Sequence, residues 1–204
     1  MSDARLFVIA APSGAGKTTL VKALTTRNPD LRFSISYTTR RKRRNEADGV
    51  DYLFVDGEEF DRLRGDGKLL ESAEVFDNFY GTSREQVQEH LDNGHSVILE
   101  IDWQGARQVR ETMPECVTVF ILPPSVDELA RRLRDRNTDS DEVIARRLRD
   151  ARSDMQHWSD FDHVIINDDL DRAVVDLVDV LEGNGDRTST GNPELREAVE
   201  AVVG

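Results

Sequence analysis

The residues Ala11-Pro12-Ser13-Gly14-Ala15-Gly16-Lys17-Thr18 have the types and spacing to hold a polyphosphate. Gly14 and Gly16 let the backbone turn tightly with its N–H groups pointing inward, a nest suited to anions. Lys17 can reach the outer phosphates of a nucleoside triphosphate, and the Thr18 hydroxyl can ligate the magnesium ion that bridges them. The loop works only if a buried strand delivers it and a helix follows, aiming its positive dipole end at the same anion. Both are supplied: Leu6-Phe7-Val8-Ile9-Ala10 is a short apolar run, and Thr19-Leu20-Val21-Lys22-Ala23-Leu24 has helical character. Ala11 stands where the pattern G-x-x-x-x-G-K-[ST] begins with glycine, while the Lys-Thr pair is intact. An ordinary glycine turn needs neither the lysine nor the threonine.

The second group is Thr38-Thr39-Arg40-Arg41-Lys42-Arg43-Arg44-Asn45-Glu46, five consecutive positive charges in a chain of net charge −13. With 40 acidic against 27 basic residues, general affinity for the nucleic-acid backbone is excluded, so any nucleotide is bound locally. A charge run is commonly a solvated loop. Here aromatic residues and carboxylates follow closely: Tyr52, Phe54, Phe60, Glu71, Phe79 and Tyr80. Cys116 is the one cysteine, which leaves no internal disulfide or Cys-based zinc site and reads as a buried thiol. The four histidines lack metal-ligand spacing. No secretory signal or membrane span is visible, and a cytoplasmic location is expected. Arginine outnumbers lysine and aspartate is abundant, a balance expected of proteins living in concentrated salt.

The elements that must position these residues follow from periodicity. Leu31 to Tyr37 alternates as a half-buried strand, and Gly49 to Val55 resumes strand character. Glu58 to Leu63 reads as a helix, and Leu69 to Val75 and Phe79 to Thr82 read as short strands. Ser83 caps a helix ending at Asn93-Gly94. Ser96 to Asp102 is a core strand with carboxylates at its carboxyl end, where open α/β sheets place ligands. Trp103-Gln104-Gly105 turns into a helix from Ala106 to Met113, and Val117 to Leu122 is the next strand. Ser125 caps a further helix, and arginine-rich helices flank the polar hinge Asn137 to Asp141. His163 to Ile166 is the last strand and Leu170 to Leu181 a helix; Gly183 to Asn192 is expected to be a flexible connector before a short terminal helix.

These pieces resemble guanylate kinase over about residues 5–182. The resemblance rests on Ser36-Tyr37-Thr38-Thr39-Arg40-x-x-Arg43-x-x-Glu46 with Tyr52 following, then Glu71, Tyr80-Gly81-Thr82-Ser83, Ile101-Asp102-Trp103-Gln104-Gly105 and Ile166-Asn167-Asp168. It implies a three-layer α/β P-loop NTPase-type fold with a parallel sheet, a GMP-binding insertion at about 36–84 and a helical lid at about 127–155, with a connector and helix at 183–204.

The reaction implied is ATP-dependent phosphorylation of GMP, and of dGMP, with magnesium accompanying ATP and no nucleic-acid or membrane partner. The resemblance assigns Arg40, Arg43, Tyr52 and Tyr80 to the phosphate of GMP, with Glu46 at its kept spacing in that loop. Glu71 is similar to the family's guanine-binding residue, with Ser36 and Thr82 donating toward O6, Gly81 between them in the motif, and Asp102 nearby. Adenine lacks the adjacent N1–H and amino donors that such a carboxylate accepts. On the ATP side, Ala11 to Thr18 form the loop, Asn167 matches a position near adenine, and Lys17, Arg136 and Arg147 supply charge to the transferring group. This chain has Glu100 where the family's strand usually reads Asp, which leaves the role of Glu100 open. Its basic loop also lacks the family's proline and glycine. Two other readings fit parts of the pattern: a kinase of the same fold acting on ribose 1,5-bisphosphate, and an inactive guanylate-kinase-like interaction module. The first has no use for the guanine set, and the second none for Lys17 and Thr18.

Overall fold

The computed structural model describes residues 4–75, 77–135 and 141–204. One sheet contains β1 (Leu6–Ala10), β2 (Arg32–Phe33), β7 (Val97–Ile101), β8 (Val117–Leu122) and β9 (His163–Ile166), ordered β2-β7-β1-β8-β9. The β2/β7 and β8/β9 pairs are parallel. The other sheet contains β3 (Tyr37–Thr38), β4 (Leu53–Phe54), β5 (Leu69–Val75) and β6 (Asn78–Ser83), ordered β4-β3-β6-β5. Its β3/β6 and β5/β6 pairs are antiparallel. The helices are α1 (Lys17–Arg27), α2 (Gly57–Gly65), α3 (Arg84–Asp92), α4 (Trp103–Thr112), α5 (Val126–Asp135), α6 (Asp141–Met155), α7 (Leu170–Glu182) and α8 (Pro193–Val203).

The chain divides into two compact units. The first draws its described residues from Met1–Val8, Pro29–Leu99 and Gln104–Cys116, the second from Ile9–Asn28, Glu100–Trp103 and Val117–Gly204. In the first, α2 lays Phe60 and Leu63 against Leu69 of β5, with Tyr37, Val55 and Phe79 packed around them. Asp56 starts α2 by accepting from the Glu59 backbone N–H at 2.8 Å, and Ser83 does the same for Gln86 at the head of α3. In the second, α7 packs on α1 and β9, burying Ala173, Val174, Leu177 and Val180. β8 buries every residue from Thr118 to Leu122, as a strand covered on both faces should.

The structure corrects three local expectations. The alternating run Leu31 to Tyr37 is not one strand: β2 ends at Phe33 and pairs with β7, whereas β3 begins at Tyr37 and pairs with β6. Each strand pairs one half-buried residue with one of different exposure, Phe33 being exposed and Thr38 buried, so period-two alternation continues while the chain changes sheets. From Gly49 to Val55 only Leu53–Phe54 is strand. Asp48 accepts from the Phe54 N–H and Asp51 from the Ala47 N–H, so short acidic side chains take bonds a ladder would have used. The turn expected at Trp103-Gln104-Gly105 is already the first turn of α4.

The Gly183 to Asn192 segment makes specific contacts with the strand β9 and the turn before it. It forms a 3-10 turn at Gly185–Thr188, Thr188 is buried, and Thr190 bonds to the Phe161 and Asp162 carbonyls. Gly185 is required there, because a Cβ would stand 2.7 Å from His163 Cε1. The Cys116 thiol is buried and makes no disulfide.

Candidate active site

In the second unit, β1 ends directly in the phosphate loop and α1 begins at Lys17. Gly14 and Gly16 both have φ of +94°, the left-handed region that L side chains avoid. A Cβ on Gly16 would also lie 2.5 Å from Asn167 Nδ2, so the loop requires glycine there twice over. Asn167, 6% exposed, donates through Nδ2 to the Ala15 carbonyl at 2.8 Å. Arg132 of α5 donates to the same carbonyl and to the Asn167 carbonyl, both at 3.2 Å, while Glu128 holds its Nε at 2.8 Å. These bonds tie the Ala15 carbonyl of the loop to the residue following β9 and to α5.

Lys17 Nζ donates to the Ile101 carbonyl at 2.7 Å, and Thr18 Oγ1 to Glu100 Oε1 at 2.5 Å. The carboxyl end of β7 therefore engages the cation and the hydroxyl expected to meet the triphosphate. Ala11, Ser13 and Lys17 are half-buried, Pro12 and Ala15 are buried, and Thr18 is exposed. Asp102 belongs to this same unit, immediately after β7. Arg147 is half-buried on α6, and Arg136 lies outside the described residues.

In the first unit, the four-stranded sheet and its loops carry the residues expected to meet the acceptor. Glu71 on β5 pairs across the ladder with Thr82 on β6, and the Thr82 hydroxyl donates to its carboxylate at 2.7 Å. They are 4% and 0% exposed, so the carboxylate stands where an undonated polar group would be costly. Gly81 permits this closeness: a Cβ there would meet the Glu71 carbonyl at 3.1 Å and Leu69 Cδ1 at 2.9 Å. Ser36, half-buried just before β3, accepts the Leu53 N–H through its carbonyl.

Around the β3 and β4 ends, Arg40 Nη2 donates to Glu46 Oε1 at 2.7 Å, and Glu46 Oε2 accepts from the Arg43 N–H at 2.7 Å. The hydrogen bond from Arg40 holds the Glu46 carboxyl below its ordinary range, and the same bond holds the Arg40 guanidinium above its own, with Tyr80 adding to it. Arg40 lies over the Tyr52 ring at 5.3 Å, and the Tyr52 and Tyr80 rings meet edge-on at 5.9 Å. The Arg43 side chain is 71% exposed, with Nη1 3.8 Å from Glu46. This is a cationic, hydroxyl-rimmed surface with its central arginine pre-oriented.

Two residues escaped the sequence reading. Arg132 sits in an arginine run, where nothing in the spacing separates it from solvated neighbours. Gln108 of α4 caps the outer edge of β5, donating to the Ser72 carbonyl at 2.9 Å and accepting its N–H at 3.1 Å, one residue from Glu71. Only the tertiary arrangement brings a helix glutamine to a strand edge 36 residues away.

The guanylate kinase family model matches residues 3–184. The chain is 52% identical over 199 residues to a guanylate kinase of Alkalilimnicola ehrlichii, covering 98% of each chain. It is 55% identical over 183 residues to one of Pseudomonas fluorescens, covering 90% of this chain and 89% of the other. The crystal structure of guanylate kinase from Anaplasma phagocytophilum matches with a TM-score of 0.74 and 35% identity, over 98% of this chain and 96% of that one. With a phosphate loop in one unit, a buried carboxylate and charged arginine cluster in the other, and relatives matched over nearly their whole length, the chain belongs to the guanylate kinase family.

Proposed function

We propose that the protein transfers the γ-phosphoryl group of ATP to GMP, and to dGMP, releasing ADP. The observation that carries this reading is the buried Glu71–Thr82 pair on β5 and β6, in the same unit as Tyr80 of β6 and the loop residues Arg40, Glu46 and Tyr52. A carboxylate accepts the adjacent N1–H and amino donors of guanine, while Ser36 donates toward O6 and Thr82 does so on exchanging its bond to Glu71. The guanidinium of Arg40 and the phenols of Tyr52 and Tyr80 serve the monophosphate, and Arg43, on the exposed loop, joins them when the dianion is present.

The attacking oxygen of GMP is already part of an anionic phosphate, so no general base is required and the protein's work is alignment and charge. Lys17 exchanges the Ile101 carbonyl for the outer phosphates of ATP, a stronger charge-assisted partner. Asn167 and Arg132 hold the loop ready, and we assign Asn167 this role beside the adenine end of ATP. Arg147, with Arg136, stabilises charge on the transferring group. The Thr18 hydroxyl and Glu100 carboxylate form an oxygen donor set that fits magnesium, a hard cation that keeps several waters. Held by these residues, magnesium would supply positive charge to the phosphates of ATP. The segments at 36–84 and 127–155 act as acceptor-binding insertion and lid.

The decisive experiment is a coupled assay of ADP formation with ATP and magnesium, offering GMP, dGMP, AMP, UMP, CMP and ribose 1,5-bisphosphate in turn, with Lys17→Ala as the blank. Turnover is expected with GMP and dGMP alone and is lost in the mutant. Turnover on ribose 1,5-bisphosphate alone would overturn the acceptor, and none at any salt would return the chain to the interaction-module reading.

A further inference from the structure

The stretch Glu100–Trp103 belongs wholly to the second unit and touches functional elements at both ends. Its first two residues hold Thr18 and Lys17, as described above. Its last, Trp103, grips the far end of α6: indole Nε1 donates to Asp154 Oδ1 at 3.0 Å, and the ring stacks face to face on His157 at 3.5 Å between centroids with 10° between planes. Burial raises the Asp154 carboxyl above its ordinary range, so the indole N–H satisfies a carboxylate that has lost water. His157 lies in the 3-10 turn Gln156–Asp160, and that turn is braced by α8: Gln156 Nε2 donates to the Val203 carbonyl, and Arg196 lies over the Trp158 ring at 5.2 Å.

The consequence lies in helix geometry. The inward face of α6 runs through Ile144, Arg147, Leu148, Ala151, Asp154 and Met155, all half-buried or buried. Arg147 and Asp154 are seven residues apart, two turns, and so project from nearly the same side. Fixing Asp154 fixes the roll of α6, and the roll decides where Arg147 points.

We propose that Trp103 is a positioning residue for phosphoryl transfer, which, through Asp154 and His157, sets the roll of α6 and thereby orients Arg147 for the reaction centre. This rests on the reading of Arg147 as a charge-stabilising residue. Steady-state kinetics of the full-length protein test it with Trp103→Leu, Trp103→Phe, Arg147→Ala and the Trp103→Leu/Arg147→Ala double variant.

Trp103→Leu is expected to lower kcat between about 10- and 100-fold, the range for misplacing a catalytic group, with KM for ATP within about twofold. Trp103→Phe keeps a ring on His157 but loses the N–H, and falls between wild type and leucine. The double variant should be no slower than Arg147→Ala, because the tryptophan acts only through that arginine. A slow Arg147→Ala whose loss multiplies with that of Trp103→Leu would overturn the proposal alone. Arg147→Ala with unchanged kcat would overturn both the proposal and the reading of Arg147. If Trp103→Leu does not fold, Asp154→Leu breaks the same link from the helix side and is held to the same non-additivity.

Discussion

Glu71 shows what a single side chain can decide. Its identity was legible in the sequence through its place in the motif, but its burial beside Thr82 was not, since a lone glutamate in a strand is ordinarily solvated. That burial gives substitution its cost. Glu71→Gln should lower kcat/KM for GMP by on the order of a hundredfold or more, because guanine donors and the buried site lose their mutual partners. KM for ATP should hold; equal losses for both substrates in the coupled assay would contradict the assignment. Gly16 is the opposite case, where the missing side chain matters. Gly16→Ala meets both a φ of +94° and Asn167 Nδ2 at 2.5 Å, so urea unfolding should show a loss of about 1–3 kcal/mol together with weaker ATP binding. Arg132 and Gln108 mark the limit of residue-level reading, because their partners are backbone atoms far away in the chain.

Among the elements, a helix start is legible where the capping side chain and the N–H it accepts lie three residues apart: Ser83 and Ser125 cap as expected, and Asp56 and Asp169 do the same for α2 and α7. Strand partners were the least legible, as the division of Leu31 to Tyr37 between two sheets shows. The contacts of the segment after Gly183 are non-local for a related reason. Its glycine and polar residues suggest freedom, yet Thr188 Oγ1 sits 3.1 Å from His163 Nδ1 and Ser189 bridges β9. Burial lowers the pKa of His163 from 6.5, so the unfolded chain binds more protons below that value. The stability contributed by neutral His163 is therefore complete above about pH 6.5 and is lost as the pH falls toward the folded pKa. Tm should drop between about pH 7 and pH 5, and less so in His163→Gln, which keeps a polar partner for Thr188 without the titration. An identical drop in both proteins would remove His163 as the cause.

For the molecule as a whole, the net charge of −13 creates self-repulsion that salt screens. Tm and activity are expected to rise with KCl from low ionic strength; a stability optimum at low salt would sink the reading of the surface as a salt adaptation. No described helix is long and apolar enough to cross a membrane. The sequence by itself determined the α/β class, the phosphate loop, the order of the acceptor motifs and the family, because these depend on local periodicity and on residue types at short spacing. Tertiary structure alone decided which atoms those residues meet. It put Glu100 on Thr18, turned Asn167 and Arg132 onto the loop carbonyl, buried Glu71 against Thr82 and fastened α6 to Trp103. Each of these contacts joins residues far apart in the chain or on different elements, and their geometry is set by packing that no local pattern encodes.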